Sequence, residues 1–232
     1  MENYSLDKIK KKLETLSIWK NNISIEVLEG GWSNDIYLVT DDNKKYVAKI
    51  GGDKKDFGIK LSNEIQAHRA AYQERISPKL LCHKKEISIY EYINYKILTL
   101  QEISEEKNLL KLVNLIKIIH NEVFNYLKNI NSFLNIFQII DHKFHVLKKY
   151  NSPYNDKLND LIKDCKLFQS ETNSHKIVFT HNDFYYKNIL YDGKKFWIID
   201  WEYSGFNPNI LDLANLSRNI GLNKNEENFI LE

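Results

Sequence analysis

The chain has little of the chemistry that staples or stretches a protein. Among 232 residues there are 2 cysteines, Cys82 and Cys165, with no CxxC and no histidine pair at finger spacing. Neither a disulfide framework nor a structural zinc site is therefore expected. His142 and His145 stand close together but lack cysteine or acidic partners in a metal-ligand pattern. Only 3 prolines are present, and no repeat or low-complexity tract, which excludes a Pro-rich linker and a solenoid. An excess of one charge is missing too. The 33 Lys+Arg and 31 Asp+Glu leave a formal net charge of +2, so no overall field calls for nucleic acid or an acidic membrane. Long apolar runs are also lacking: Met1 to Asp7 has no signal-peptide core, and Phe133 to Ile140 is too short and interrupted to span a bilayer. A cytoplasmic location is the default expectation.

What is present is a core. A hydrophobic fraction of 43% over this length suffices for one large domain or two lobes. Leu6, Ile9, Leu13 and Leu16 recur at helical spacing, which predicts an amphipathic helix over residues 5–20. Three β-rich runs follow, over 23–29, 35–40 and 46–50, broken by Gly30-Gly31 and by the polar turn Asp41 to Lys44. Helical spacing returns over 60–73, then two more strands over 79–84 and 86–92. Five antiparallel strands with one inserted helix make a small lobe over 1–94. The stretch 104–123 is too apolar for a surface helix and predicts the core of a second, mainly helical lobe over 95–232. Further helices over 132–150 and 156–168 precede short buried strands over 176–180 and 195–199. The fold class is thus α+β.

The loop between those last two strands holds the chemistry. It reads His181-Asn182-Asp183-Phe184-Tyr185-Tyr186-Lys187-Asn188, with Asp and Asn five positions apart. Composition alone would produce about 1.6 such pairs, so the spacing carries little by itself; adding the His two positions before the Asp lowers the chance count to about 0.05. An apolar strand then ends in Asp200. Phosphoryl transfer wants this set: one carboxylate orients and deprotonates the attacking hydroxyl, while an amide and a second carboxylate hold Mg²⁺ through hard oxygen ligands. Asp183 fits the base, and Asn188 and Asp200 fit the metal ligands. The bland alternative is that all three cap turns.

His181-Asn182-Asp183 through Asn188, then Ile199-Asp200-Trp201-Glu202-Tyr203 and Leu211-Asp212-Leu213-Ala214-Asn215, resembles the choline/ethanolamine kinases, bacterial choline kinases above all. These belong to the aminoglycoside-phosphotransferase-like kinases. The resemblance implies a two-lobed protein-kinase-like fold, ATP and Mg²⁺ as cofactors, Asp183 as base, and Asp212 bracing the catalytic loop from behind. It also implies that Glu202 lies near the metal and Tyr203 near the substrate cation, where an aromatic face holds a quaternary ammonium well. A protein kinase is disfavoured, because HND stands for HRD, Asp200-Trp201-Glu202 for DFG, and no APE follows.

The nucleotide side is expected in the first lobe. The segment Leu28 to Tyr37, with Ser33 and Asn34, is placed between strands to fold over phosphates. Lys49 lies in an otherwise apolar strand, where an ammonium needs anions. Glu64 is the helix carboxylate that kinases use to hold such a lysine. Glu91-Tyr92-Ile93 resembles the hinge whose backbone binds adenine, with Glu91 and Ile93 as contacts. His120 reads as a satisfied core histidine. Two departures from the family pattern are Asn219, where an acidic residue is usual, and an end at Glu232 before the usual last helices, so either the second lobe is truncated or its substrate pocket is completed differently. Three readings stay open: a choline or ethanolamine kinase, a thiamine or aminoglycoside kinase of the same fold, and a truncated or silent nucleotide-binding protein.

Overall fold

The computed structural model describes residues 6–28, 34–133 and 135–231. The chain divides into two compact units, Met1–Gly52 with Pro78–Asn94, and Asp53–Ser77 with Tyr95–Glu232.

In the first unit, helix α1 (Leu6–Glu14) buries Ile9 and Leu13, one turn apart, and leaves its lysines outside. Strands β1 (Ile23–Val27), β2 (Asp35–Asp41), β3 (Lys44–Ile50), β4 (Leu80–Lys84) and β5 (Ile87–Glu91) form one antiparallel sheet in the order β1-β2-β3-β5-β4. A two-residue turn joins β2 to β3, with Asp42 at φ 56, a left-handed position that Asp tolerates. Alternation along β2 buries Tyr37 and Val39 against Ile9, Leu13, Leu16, Ala48 and Ile89.

Asp41 closes this layer. Its carboxylate accepts the backbone N–H groups of Lys20 at 2.8 Å and Asn21 at 3.0 Å, tying the turn after α1 to the sheet. The Lys20 hydrogen bond, first among the causes, holds its pKa below the usual carboxylate value. A depressed folded pKa means that the stabilisation is present above the unfolded value of about 4 and is lost as pH falls through the folded one. Asp41→Asn is therefore expected to lower the urea midpoint at pH 7, with the gap to wild type closing below about pH 4. A gap that stays constant down to pH 2 would rule out this linkage.

The second unit contains helices α2 (Leu61–Gln73), α3 (Leu100–Ser104), α4 (Glu106–Asn121), α5 (Ile136–Lys149) and α6 (Asn155–Thr172). Two antiparallel ribbons follow, β6 (Ile177–Thr180) with β9 (Gly205–Pro208) and β7 (Ile189–Tyr191) with β8 (Phe196–Ile198). Helices α7 (Ile210–Ile220) and α8 (Lys224–Leu231) complete it. As its composition predicts, α4 is central: Leu109, Leu112, Ile116 and Ile119 pack with Phe179, Phe184, Ile198, Trp201 and Leu216. The two ribbons bracket the catalytic segment, since β6 leads into His181 and β9 leads out after Tyr203.

Helix α2 and its flanks cluster with the second unit, whereas the sequence places the helix over 60–73 within 1–94. Its small face explains why: Ala67, Ala70 and Ala71 lie in the α4-centred core, and the Ser77 hydroxyl donates to the Ile198 carbonyl at 2.6 Å. Helix α7 and strand β9 are not assigned as elements from the sequence; β9 is only four residues long and runs from a glycine to a proline. Among the described residues no helix is long and apolar enough to cross a membrane. Cys82 and Cys165 are free thiols.

Candidate active site

Register builds the centre of the site. Ile189 pairs with Ile198 across the β7–β8 hairpin, and the Ile199 N–H donates to the Asn188 carbonyl at 3.1 Å. Asn188 and Asp200, twelve positions apart in sequence, are thereby held at the same end of one ribbon. Asp200 itself adopts φ 68, a left-handed turn that ends the strand direction directly after β8. Asn188 also reaches back across its own loop. Its amide nitrogen donates to Asp183 Oδ2 at 2.8 Å and to the Asp183 carbonyl at 3.1 Å. That nitrogen is committed to Asp183, which leaves the Asn188 amide oxygen as its remaining acceptor.

His181 fixes the other side of Asp183. It is fully buried, and its Nε2–H donates to the Ile199 carbonyl at 3.1 Å while its Nδ1 accepts the Asp183 N–H at 3.2 Å. The two bonds together select the neutral Nε2–H tautomer. Burial lowers its pKa in agreement, against the pull of Asp212 and Asp183. Asp183 is shifted the other way. Burial raises its pKa, the His181 ring opposes this, and the Asp200 carboxylate raises it further. A carboxylate with a raised pKa is a better proton acceptor than one free in water.

Behind the loop, Asp212 of α7 is completely buried and accepts the N–H groups of His181 at 3.1 Å and Asn182 at 2.8 Å. The His120 ring meets the same carboxylate at 3.0 Å, so His120 is the satisfied core histidine that its position predicts. Asn182, at φ 64, sends its amide to the Tyr203 carbonyl at 2.8 Å and so links the catalytic loop to the segment after Asp200. Trp201 anchors that segment from below. Its indole N–H donates to the Ser77 hydroxyl at 2.8 Å, and its ring packs edge-on against His181.

Glu202 is almost completely buried and takes the Lys54 ammonium at 2.5 Å. Lys54 was not singled out from the sequence, where nothing distinguishes it from its many lysine neighbours. Removing one partner of a fully buried pair costs about 3–5 kcal/mol, and 19% exposure of the Lys54 side chain reduces that. Lys54→Met is expected to lose about 2 kcal/mol in denaturant unfolding. Equal stability of the variant and wild type would show the pair to be idle. Tyr203 is half-buried, and burial, then Glu202, raises the pKa of its phenol, which stays neutral.

Of the residues expected at the site, Asp183, Asn188, Asp200, Glu202, Tyr203 and the buried Glu64 belong to the second unit. Asn34, Lys49, Glu91 and Ile93 belong to the first. Lys49 is buried on β3, paired with Ile36 and Ser88, and Asn34 is packed over Gly51. A Cβ at residue 51 would lie 2.0 Å from the Asn34 amide oxygen, so a larger residue there would push the Asn34 side chain aside. Ser33 and the Gly30-Gly31 turn lie outside the described residues. Asn215, which accepts the Phe184 N–H, and Asn219, which donates to Asn215, were missed as supports of the loop. Their spacing from Asp212, three and seven positions along one helix face, was the available signal.

The family model for choline/ethanolamine kinase matches residues 25–229. The chain belongs to that family. LicA of Haemophilus influenzae is 26% identical over 223 residues, covering 88% of this chain and 60% of LicA. Probable choline kinase 1 of Arabidopsis thaliana is 25% identical, covering 91% of this chain and 66% of that protein. The chain thus spans 60% and 66% of the length of these two relatives. Among solved structures, choline kinase LicA from Streptococcus pneumoniae has a TM-score of 0.78 at 23% identity, over 97% of this chain and 78% of that one. A spectinomycin phosphotransferase solved with ADP and spectinomycin has a TM-score of 0.66 at 15% identity, over 97% and 78%. The fold is therefore that of the aminoglycoside-phosphotransferase and protein-kinase-like enzymes.

Proposed function

We propose that this family member is an ATP- and Mg²⁺-dependent phosphotransferase acting on the hydroxyl of a small cationic alcohol, choline or ethanolamine. The observation that carries the reading is the Asn188–Asp183 bond at 2.8 Å beside a ribbon register that brings Asp200 to the same end. Asn188 binds Asp183 Oδ2, so Asp183 Oδ1 is the atom that orients the alcohol and accepts its proton. The donor set fits a hard divalent cation: the Asp200 carboxylate and the Asn188 amide oxygen, with no thiolate or imidazole among them. Asn188 and Asp200 would hold Mg²⁺, which when bound neutralises phosphate charge.

Lys49 would pair with the ATP phosphates and Glu64 would serve as the carboxylate partner of such a lysine, with Ser33 and Asn34 at the phosphate loop. The backbone at Glu91 and Ile93 would meet adenine. For the substrate, Glu202 and Tyr203 are the assigned contacts: Tyr203 offers a neutral aromatic face, and the Glu202 carboxylate, paired with Lys54, lies beside it in sequence. LicA was also solved with AMP, which supports nucleotide use in this fold. The same reading has the enzyme work in the cytoplasm on ATP and a free alcohol.

The test is ADP release with choline, ethanolamine, thiamine and an aminoglycoside, each with and without Mg²⁺. Mg²⁺-dependent turnover of choline or ethanolamine is expected. Turnover confined to thiamine or the aminoglycoside would replace the substrate class. No turnover of any acceptor would leave a silent nucleotide-binding protein and overturn the reading.

A further inference from the structure

We infer that Asn215 is a positioning residue for the catalytic base, with Asn219 orienting it; the inference rests on the role of Asp183 given above. Asn215 Oδ1 accepts the Phe184 N–H at 2.6 Å. Asn219, one turn further along α7, donates its amide to that same Oδ1 at 3.1 Å and to the Asn215 carbonyl at 2.9 Å. This second bond decides which end of the Asn215 amide faces the loop, because only an oxygen there can serve both donors.

The Phe184 N–H belongs to the same planar unit as the Asp183 carbonyl. Asn188 Nδ2 holds that carbonyl at 3.1 Å. The peptide following the base is therefore gripped at both ends, its N–H by Asn215 and its C=O by Asn188. The preceding N–H, that of Asp183, is held by His181 at 3.2 Å. Rotation about either backbone bond of Asp183 must break one of these contacts. The direction of its carboxylate is set accordingly, and the Phe184 ring, fully buried, anchors the next residue. Misplacement of a reacting group by about 1 Å costs on the order of 10²-fold in rate. Asp212 supports the earlier N–H groups of the loop, so the face of α7 carrying Asp212, Asn215 and Asn219 forms its backing.

Asn215→Ala removes the acceptor, and Asn215→Asp keeps an oxygen for both donors. The alanine variant is expected to lose roughly 10- to 100-fold in kcat with choline, with KM for ATP within about twofold of wild type. The aspartate variant should recover most of that loss. Hydrogen exchange at the Phe184 amide is read in parallel, in the full chain and independently of turnover. It should accelerate in Asn215→Ala and slow again in Asn215→Asp.

Wild-type kcat in Asn215→Ala would overturn the inference. So would equal losses of kcat and melting temperature in both variants, which would mark Asn215 as packing alone. Should wild type turn over none of the alcohols, the phosphotransferase reading fails, and the exchange data still decide. Faster Phe184 exchange rescued by aspartate sustains the positioning role; unchanged exchange refutes it.

Discussion

Asp183→Asn is expected to reduce phosphoryl transfer by roughly 10³-fold or more while MgATP binding stays close to wild type. The amide keeps the shape of the carboxylate and still presents an oxygen to Asn188 Nδ2, which now lies 2.8 Å from Oδ2. What it loses is the ability to accept a proton. Asp200→Asn should behave differently, weakening Mg²⁺-dependent nucleotide binding along with turnover, because its carboxylate is assigned to the metal. Isothermal titration with and without Mg²⁺, set beside initial rates, separates the two. Matching losses of binding in both variants would contradict the division of roles. A second readout follows from burial, which raises the Asp183 pKa ahead of the opposing His181 and the reinforcing Asp200 contributions. A carboxyl with a raised folded pKa stabilises the fold at low pH and loses that contribution as pH rises through its unfolded and then its folded value. At neutral pH its charge opposes folding. The neutral amide should therefore melt at or above the wild-type temperature, the usual mark of a site residue kept for chemistry.

Asp212→Ala should have the largest effect on stability, about 3–5 kcal/mol, with loss of activity at any temperature where the loop is displaced. The carboxylate is completely buried and receives the N–H groups of His181 and Asn182 as well as the His120 ring. Alanine would leave these donors facing a cavity, and each buried donor without an acceptor costs about 1–3 kcal/mol. His120→Ala removes a single partner and should cost less. Urea unfolding of both variants checks the order. A loss for Asp212→Ala no greater than that for His120→Ala would show that the loop N–H groups find other acceptors.

These expectations show how far the chain could be read unaided. The strands read over 35–40 and 46–50, observed over 35–41 and 44–50, were legible because alternation and a polar turn are local signals. The catalytic loop was legible because His181, Asp183 and Asn188 keep a spacing that chance seldom produces, and Asp200 ends a strand. Helix α2 was legible as a helix, but its alanine-rich face does not say which core it fills, and it clusters with the second unit. Lys54 was invisible for a related reason: in a lysine-rich chain, only the partner 148 positions away distinguishes it. On α7, Asp212 was read as the brace, while Asn215 was read only as part of the motif and Asn219 only as a departure from it.

The amino-acid order by itself determined most of the elements, the α+β class and the identities of the base and metal-ligand candidates, because periodicity, turn chemistry and short motifs act over a few residues. Tertiary structure decided which unit claims α2, which lysine meets Glu202, and how α7 backs the loop, because those depend on contacts between residues tens to hundreds of positions apart. Such contacts form only when burial and hydrogen-bond satisfaction are settled for the whole core at once.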